Sequence, residues 1–293
     1  MTSLADRING RRVVASVSGG KDSAAMSLWL TEQGIEHDRV FLDTGWEHEK
    51  TYEYLRGPLT DKLGPITEIK PPLLMEDLIL KKGMFPSRVR RFCTQELKVK
   101  PIMSYLTKLM DNGTDVINAV GIRAGESESR SKMSEWEWQA GFDCEVWRPL
   151  IAWSEDQVIA IHARHGLPPN PLYLMGASRV GCWPCIYARK AEIRLIADKD
   201  PDRIVRLRVL ETQVGVAARA RAEAKGQTLV SDPAWFQAPL GESGAAWPID
   251  RVVEWSRTSR GGRQMELFAP QQEEGCVRWG LCETGAEAEE VSK

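Results

Sequence analysis

Between residue 13 and about residue 165, short apolar runs alternate with longer stretches of helical periodicity, and this alternation restricts the chain more than any single residue does. RRVVASV reads as a strand and Asp22 to Gln33 as a helix; RVFLD and Glu47 to Leu55 repeat the pair; ITEIK is a third strand, and VINAVGIR, Val116 to Arg123, a fourth. Strands separated by helices of this length predict βαβ units, so the expected fold is α/β, a doubly wound, mostly parallel sheet. After about Pro168 the pattern changes to a proline-rich turn, PPNPLY, and an Arg- and Ala-rich helix, Pro201 to Lys225, which predicts a smaller, mainly helical C-terminal lobe. Ligands of such sheets bind beyond the carboxyl ends of the strands. SGGKDS, the residues after Leu42 and GIRAGESESR all fall there.

Composition narrows the partners. The 293 residues carry a net charge of -2, so the chain as a whole offers no excess of positive charge to a nucleic-acid backbone. No apolar run approaches the ~20 residues needed to span a bilayer, and MTSLADRINGRR lacks the apolar core of a signal peptide; the expectation is a cytoplasmic protein with no membrane partner. Six cysteines in a cytosolic chain point to metal ligation, redox chemistry or burial before structural disulfides.

SGGKDS follows the first strand and opens the first helix without the spacing of a Walker A loop or of GxGxxG. Its glycines let backbone N–H groups approach an anion, the helix presents its positive end, Lys21 adds a charge, and Ser18 and Ser23 supply hydroxyls. A glycine turn from strand to helix is otherwise only a turn. The loop resembles the pyrophosphate loop (PP-loop) of the adenine nucleotide alpha hydrolases. FLDTGWEHEKTYEYL, GIRAGESESR and WRPLIAWSEDQVIAIHARHGLPPNPLYLMGASRVGCWPC resemble, in family order over roughly residues 12 to 190, the segments of phosphoadenosine phosphosulfate (PAPS) reductases. The resemblance implies that Ser18, Gly19, Gly20, Lys21, Asp22 and Ser23 cradle phosphates, that Asp43 and Thr44 lie by the adenosine, and that Arg123 and Arg130 reach the reacting phosphate or sulfate. Guanidinium forks suit tetrahedral oxyanions; the alternative for Arg130 is a solvated loop charge. His48 falls beside LDTGWEH, whereas His162 and His165 fall on a helix and read as structural.

GCWPC places Cys182 and Cys185 at a spacing that lets two thiolates reach one metal. The resemblance implies a [4Fe–4S] cluster held by this pair and by a Cys-Cys pair near residue 93; here Cys93 is followed by Thr94, so one family ligand is missing. Cys276 or Cys282, in GCVRWGLCE, would supply the fourth, with Cys276 preferred and Cys282 left as a reactive thiol. A structural zinc on Cys182, Cys185, Cys276 and Cys282 is the alternative, and no metal at all a further one. Cys144, without a motif, reads as buried.

Lys81 to Lys100 holds seven basic residues and one acid, suited to an anionic nucleotide or a nucleic-acid backbone. Arg203, Arg206, Arg208, Arg219, Arg221 and Lys225 read as a solvated helix face, and Trp136 and Trp138 as alternating residues of a half-buried strand before base-stacking rings. Residues 1–170 form the expected nucleotide-binding domain, 171–283 the cysteine-containing lobe and 284–293 a disordered tail.

Two chemistries share such a loop: cleavage of ATP between the α- and β-phosphates to drive sulfur transfer, with Mg²⁺, and reduction of PAPS or adenosine 5′-phosphosulfate (APS) to sulfite. The intact loop favours the first, because PAPS reductases commonly carry a degenerate one, and the ATP-dependent enzymes of DNA phosphorothioation are a similar branch. Catalytic roles then fall to Lys21, Arg123, Arg130 and Cys282. The partners so implied are a thiol reductant or sulfur-donor protein, a nucleic-acid acceptor and a second copy of the chain in a homodimer. The third reading is a non-catalytic nucleotide-binding component of a DNA-modification or defence complex.

Overall fold

Val13, Val14 and Ala15 are all fully buried, which a strand achieves only in the middle of a sheet covered on both faces. The computed structural model describes residues 4–229, 231–237, 246–259 and 279. In chain order its elements are α1 (Leu4–Ile8), β1 (Arg12–Ser16), α2 (Lys21–Glu32), β2 (His37–Leu42), α3 (Glu49–Tyr54), α4 (Thr60–Leu63), β3 (Thr67–Ile69), α5 (Met75–Lys82), α6 (Phe92–Thr94), α7 (Lys100–Asp111), β4 (Val116–Val120), α8 (Glu128–Ser131), β5 (Trp136–Gln139), β6 (Cys144–Trp147), α9 (Glu155–Arg164), α10 (Pro171–Leu174), α11 (Lys190–Lys199), α12 (Pro201–Glu223), β7 (Phe236–Gln237), β8 (Ala246–Trp247) and α13 (Ile249–Ser256). The main sheet has the order β3-β2-β1-β4-β6-β5. Its strands run parallel except β5, which pairs antiparallel with β6 at the edge.

Alternation along the central strands feeds two apolar layers. Val13, Ala15 and Val17 join Ile117, Ala119 and residues of α2 and α9 on one face; Val14 joins Val40, Val116, Ile102 and Leu106 on the other. The helix over the first face opens with a capping box in WSEDQ: the Ser154 hydroxyl accepts from the Gln157 amide at 3.2 Å, and the Gln157 side chain accepts from the Ser154 amide at 2.8 Å. Because β1, β2 and β4 are parallel neighbours, the segments after Ser16, Leu42 and Val120 emerge at one edge of the sheet.

A third apolar cluster joins Trp46, Met75 and Leu97 to Leu172, Trp183, Ile193, Leu207 and Val252, so α11, α12 and α13 pack directly on the segment after β2. It changes the reading of α12. Arg206, Arg208 and Arg219 do face solvent, paired with Glu76, Asp250 and Asp232. Arg203, expected on the same solvated face, is instead 6% exposed, lies over the Trp46 ring and donates to the Glu47 carbonyl at 3.2 Å. Trp136 stacks on the buried Trp147 at 4.7 Å, but Trp138, two residues along the edge strand, is 59% exposed. Among the described residues no helix is long and apolar enough to cross a membrane.

Candidate nucleotide site and its cysteine neighbourhood

The turn from β1 into α2 is built from its own hydroxyls and two glycines. Ser23 Oγ accepts from the Ser18 amide and donates to the Gly20 carbonyl, each at 3.0 Å, so the loop curls over the first turn of the helix. Gly19 has φ +73°, and a Cβ there would stand 3.0 Å from Thr51 Cγ2; both conditions select glycine. Gly20 caps α2 with no side-chain bond, which leaves the first-turn amides of Asp22 and Ser23 for an anion.

Three side chains from the second half of the chain hold this loop. The Lys21 amide donates to the Tyr173 hydroxyl at 3.0 Å, Asn170 Nδ2 donates to the Gly19 carbonyl at 3.1 Å, and His162 Nε2 stands 2.9 Å from the Lys21 carbonyl. Since a carbonyl only accepts, His162 carries its proton on Nε2. Burial lowers its pKa and keeps the ring neutral. Trp279 packs edge-on against His162 and tilted against Tyr173, with ring centroids 5.3 and 5.7 Å away.

Charge at the loop is already balanced. Lys21 Nζ lies 3.3 Å from Glu155 and 3.8 Å from Asp22, and 5.0 Å from the Tyr173 ring centre. Arg123, 7% exposed, pairs with Asp22 and so draws the segment after β4 onto the loop. The approach is close enough that a Cβ on Gly121 would stand 2.7 Å from Ser23 Cα. Glu126 ties the two sequence-predicted arginines together: one oxygen accepts from the Arg123 amide at 2.7 Å and the other pairs with Arg130. An incoming phosphate would exchange these carboxylates for its own oxygens.

After β2, Asp43 and Thr44 are buried with Glu47. Thr44 donates to Glu47, and the Tyr52 hydroxyl sits 2.7 Å from Asp43 and 3.0 Å from Glu47. Burial, then the two carboxylates, raises the Tyr52 pKa and keeps it a donor. This segment is fastened to GCWPC: the Trp183 amide donates to the Trp46 carbonyl at 2.9 Å, and Trp46 Nε1 donates to the Pro184 carbonyl at 3.0 Å. Thr44 Oγ1 thereby comes within 3.9 Å of Cys182 Sγ. His48 caps α3 through the Lys50 amide and lies 3.6 Å from Asp200.

Cys93 and Cys182 pack against the third apolar cluster, and Lys98 is near enough to interact with them electrostatically. Its pKa is raised by Cys182 first, against the opposing effect of burial, with Glu47, Cys185 and Cys93 adding to the rise. Burial pushes the Cys182 thiol up to about 11 while Lys98 pulls it back. Soft thiols beside an ammonium are a donor set that an iron–sulfur cluster accepts. Even so, among the described residues no three His, Cys, Asp or Glu side chains converge on one metal position. Cys276, Cys282 and residues 284–293 lie outside the described residues. Cys144 is buried, as its lack of a motif suggested.

The arrangement has known relatives. The model of the phosphoadenosine phosphosulfate reductase domain matches residues 12–188, which takes in the loop, both arginines and GCWPC. The chain belongs to this family. It is 32% identical to the uncharacterized 37.8 kDa protein in the gpa 5′ region of Escherichia phage 186, over 92% of this chain and 96% of that protein. An adenosine 5′-phosphosulfate reductase of Deinococcus radiodurans is 28% identical over 54% of this chain and 60% of its own length. A solved structure of phosphoadenylyl-sulfate reductase from Candida auris, a phosphate complex, covers 60% of this chain and 84% of its own at 19% identity, with a TM-score of 0.48.

The sequence points to the loop, Asp43, Thr44 and the two arginines as site residues and reads His162 as structural, which fits its bond to the Lys21 carbonyl. It gives no local sign of Asn170, Tyr173, Lys98 or Trp279 in the site. Asn170 and Tyr173 stand in PPNPLY and Lys98 in RRFCTQELK, segments singled out for their prolines or charge.

Proposed function

We propose that the protein binds ATP on the Ser18–Ser23 loop and cleaves it between the α- and β-phosphates to drive sulfur transfer. The observation that carries this reading is the complete Gly-Gly-Lys-Asp turn, with uncapped first-turn amides and Lys21 and Arg123 held at its rim. An acceptor oxygen attacks the α-phosphorus; the new O–P bond forms as the bond to the bridging oxygen breaks, and its electron pair leaves with pyrophosphate. A sulfur nucleophile then displaces AMP from the adenylated acceptor. Loop amides and Lys21 hold the β- and γ-phosphate oxygens as charge moves onto them, while Arg123, with Arg130 behind it through Glu126, meets the α-phosphate. Mg²⁺, when bound, would supply further neutralisation of the leaving pyrophosphate. Cys282 is the proposed sulfur-handling thiol.

The match to the reductase domain supports a second reading, in which a thiolate attacks the sulfur of PAPS or APS, the nucleotide leaves, and a second thiol releases sulfite. A protein that binds nucleotide without turnover is the third. Lys21→Ala separates the enzymes from the binder: the ATP reading expects kcat/KM for AMP release to fall about 10²- to 10³-fold. An unchanged value removes the loop from the chemistry.

Cys93, Cys182, Cys185 and Cys276 are the ligands proposed for a [4Fe–4S] cluster, on which none of these steps depends. Anaerobically purified protein should then hold iron and acid-labile sulfide in near-equal amounts. Zinc in place of iron and sulfide would instead assign Cys182, Cys185, Cys276 and Cys282 to a structural site.

A further inference from the structure

The cationic stretch Lys81–Lys100 is left over by the nucleotide site. It leaves α5 through Gly83, in the left-handed conformation with φ +61°, and folds into a turn closed by the Ser87 amide on the Arg90 carbonyl and by the Arg90 amide on Ser87 Oγ, each at 3.1 Å. The turn lifts Arg88 and Val89 to its tip, where Val89 is 90% exposed. Arg90 and Arg91 are exposed beside them.

Two features set this turn apart from the rest of the surface. Most other arginines are paired with a carboxylate, as Arg12 is with Asp38, Arg56 with Glu68, Arg164 with Glu32 and Arg208 with Asp250. Among the described residues Arg88, Arg90 and Arg91 have no such partner, and the one acid of the stretch, Glu96, is taken by Lys100 at 2.8 Å. The cations also alternate with rings. Arg88 and Arg91 lie 5.6 and 5.3 Å from the centre of the half-buried Tyr187, and Lys82 lies 5.2 Å from that of Phe92. Tyr187 is two residues beyond Cys185, so the strip borders the cysteine neighbourhood.

We infer that Arg88, Arg90, Arg91 and Tyr187 form a docking strip for a single-stranded nucleic acid, the acceptor of the transfer proposed above. Only the word acceptor rests on that reading; the binding itself does not. Unneutralised guanidiniums take phosphate oxygens and release counterions, while tyrosine and the flat faces of arginine stack on unpaired bases. An exposed turn with rings and an apolar tip has no helix or ribbon to lay in a duplex groove. It suits bases that are already splayed out. An acidic protein face would use the charges but leave the rings idle.

Fluorescence anisotropy on the full-length protein tests this. The probes are a labelled DNA strand and an RNA strand of one mixed sequence, longer than the roughly 4–16 nucleotides such a surface covers, and the corresponding blunt duplex. Either strand should bind more tightly than the duplex, and DNA against RNA tells which source it prefers. Arg88→Gln with Arg91→Gln should weaken strand binding at least about tenfold and flatten the dependence of log K on log salt by about 1.4, near 0.7 for each lost phosphate contact. Tyr187→Ala should weaken binding about 5- to 150-fold, and Tyr187→Phe should restore it. Melting temperature and ATP binding, measured on the same samples, should stay at wild-type values and show that the variants fold. The inference falls if neither strand binds at low salt, if the duplex binds better, or if the glutamine pair leaves affinity and salt slope unchanged. Strand binding with these variant effects in a protein that never cleaves ATP would keep the strip and remove the ATP reading.

Discussion

Gly121→Ala is the sharpest test of how the loop is assembled. The added Cβ would meet three backbone atoms, Ser23 Cα at 2.7 Å, Asp22 O at 2.8 Å and Ser23 N at 3.0 Å. None of them can swing away as a flexible side chain could. Gly121 has no positive φ, so alanine carries no backbone penalty there and the effect is purely one of contact. Ordinary packing needs at least 3.4 Å, which requires the segment after β4 and the first turn of α2 to part by about 0.7 Å. Overpacking of this kind costs about 1–3 kcal/mol, and in a chain of this size that lowers the melting temperature by about 2–5 °C. The separation also carries Arg123 away from Asp22 and from the loop amides, and misplacement near 1 Å in a reacting site costs about a hundredfold in rate. Gly141→Ala is the control, because nothing lies within 4 Å of a Cβ at that position. Differential scanning fluorimetry and an assay of AMP release from ATP should show both losses for Gly121→Ala and neither for Gly141→Ala. A Gly121→Ala protein with wild-type melting and turnover would refute the close approach that joins Arg123 to the loop.

Two further outcomes follow from the groups that hold the loop. Tyr173→Phe leaves the buried Lys21 amide without its acceptor and should cost about 1–3 kcal/mol of stability by denaturant titration, while keeping the ring beside Lys21 and hence weakening ATP binding less than Lys21→Ala does. His162 is held neutral in the fold, with a pKa below its ordinary 6.5, so the unfolded chain takes up a proton first as pH falls. Its share of stability is whole above about pH 6.5 and is lost below it. His162→Gln, which can still donate to the Lys21 carbonyl, should flatten the decline between pH 6.5 and 5 by up to about 1.4 kcal/mol per unit, and an identical decline in both proteins would contradict a neutral His162.

What could be read from the sequence follows from how local each cause is. β1 was legible because burial on both faces writes itself as an apolar run, β4 because the same run is broken only by the buried Asn118, and α9 because its capping box is spelled out in five residues. The helix expected over Glu47 to Leu55 was legible only in part. Glu47 lies before α3 and turns its carboxylate to Thr44 and Tyr52, and past Tyr54 the chain enters a wider π-helical turn, Leu55–Leu59, around Gly57 and Pro58. Trp136 and Trp138 announced a strand but not its place at the sheet edge, which decides that one indole stacks and the other faces solvent. In the site, SGGKDS is a contiguous signal. Its supports are not: Tyr173 is 152 residues from Lys21 and Asn170 is 151 from Gly19, and nothing in PPNPLY says which loop it will meet. Arg203 makes the same point for α12, since a basic stretch reads as solvated until the Trp46 ring and the Glu47 carbonyl come to cover it.

The proposed reaction requires that this loop hold an adenine nucleotide and that the nucleotide broken be ATP. Anaerobically purified protein, incubated with Mg-ATP and with PAPS or APS in separate tubes, each with a thiol reductant, decides it once the adenine nucleotides are resolved chromatographically. AMP and pyrophosphate should form from ATP, rising when an acceptor such as single-stranded nucleic acid is added. Sulfite with adenosine 3′,5′-bisphosphate from PAPS, or with AMP from APS, while ATP stays intact, would contradict it and make the protein a sulfonucleotide reductase.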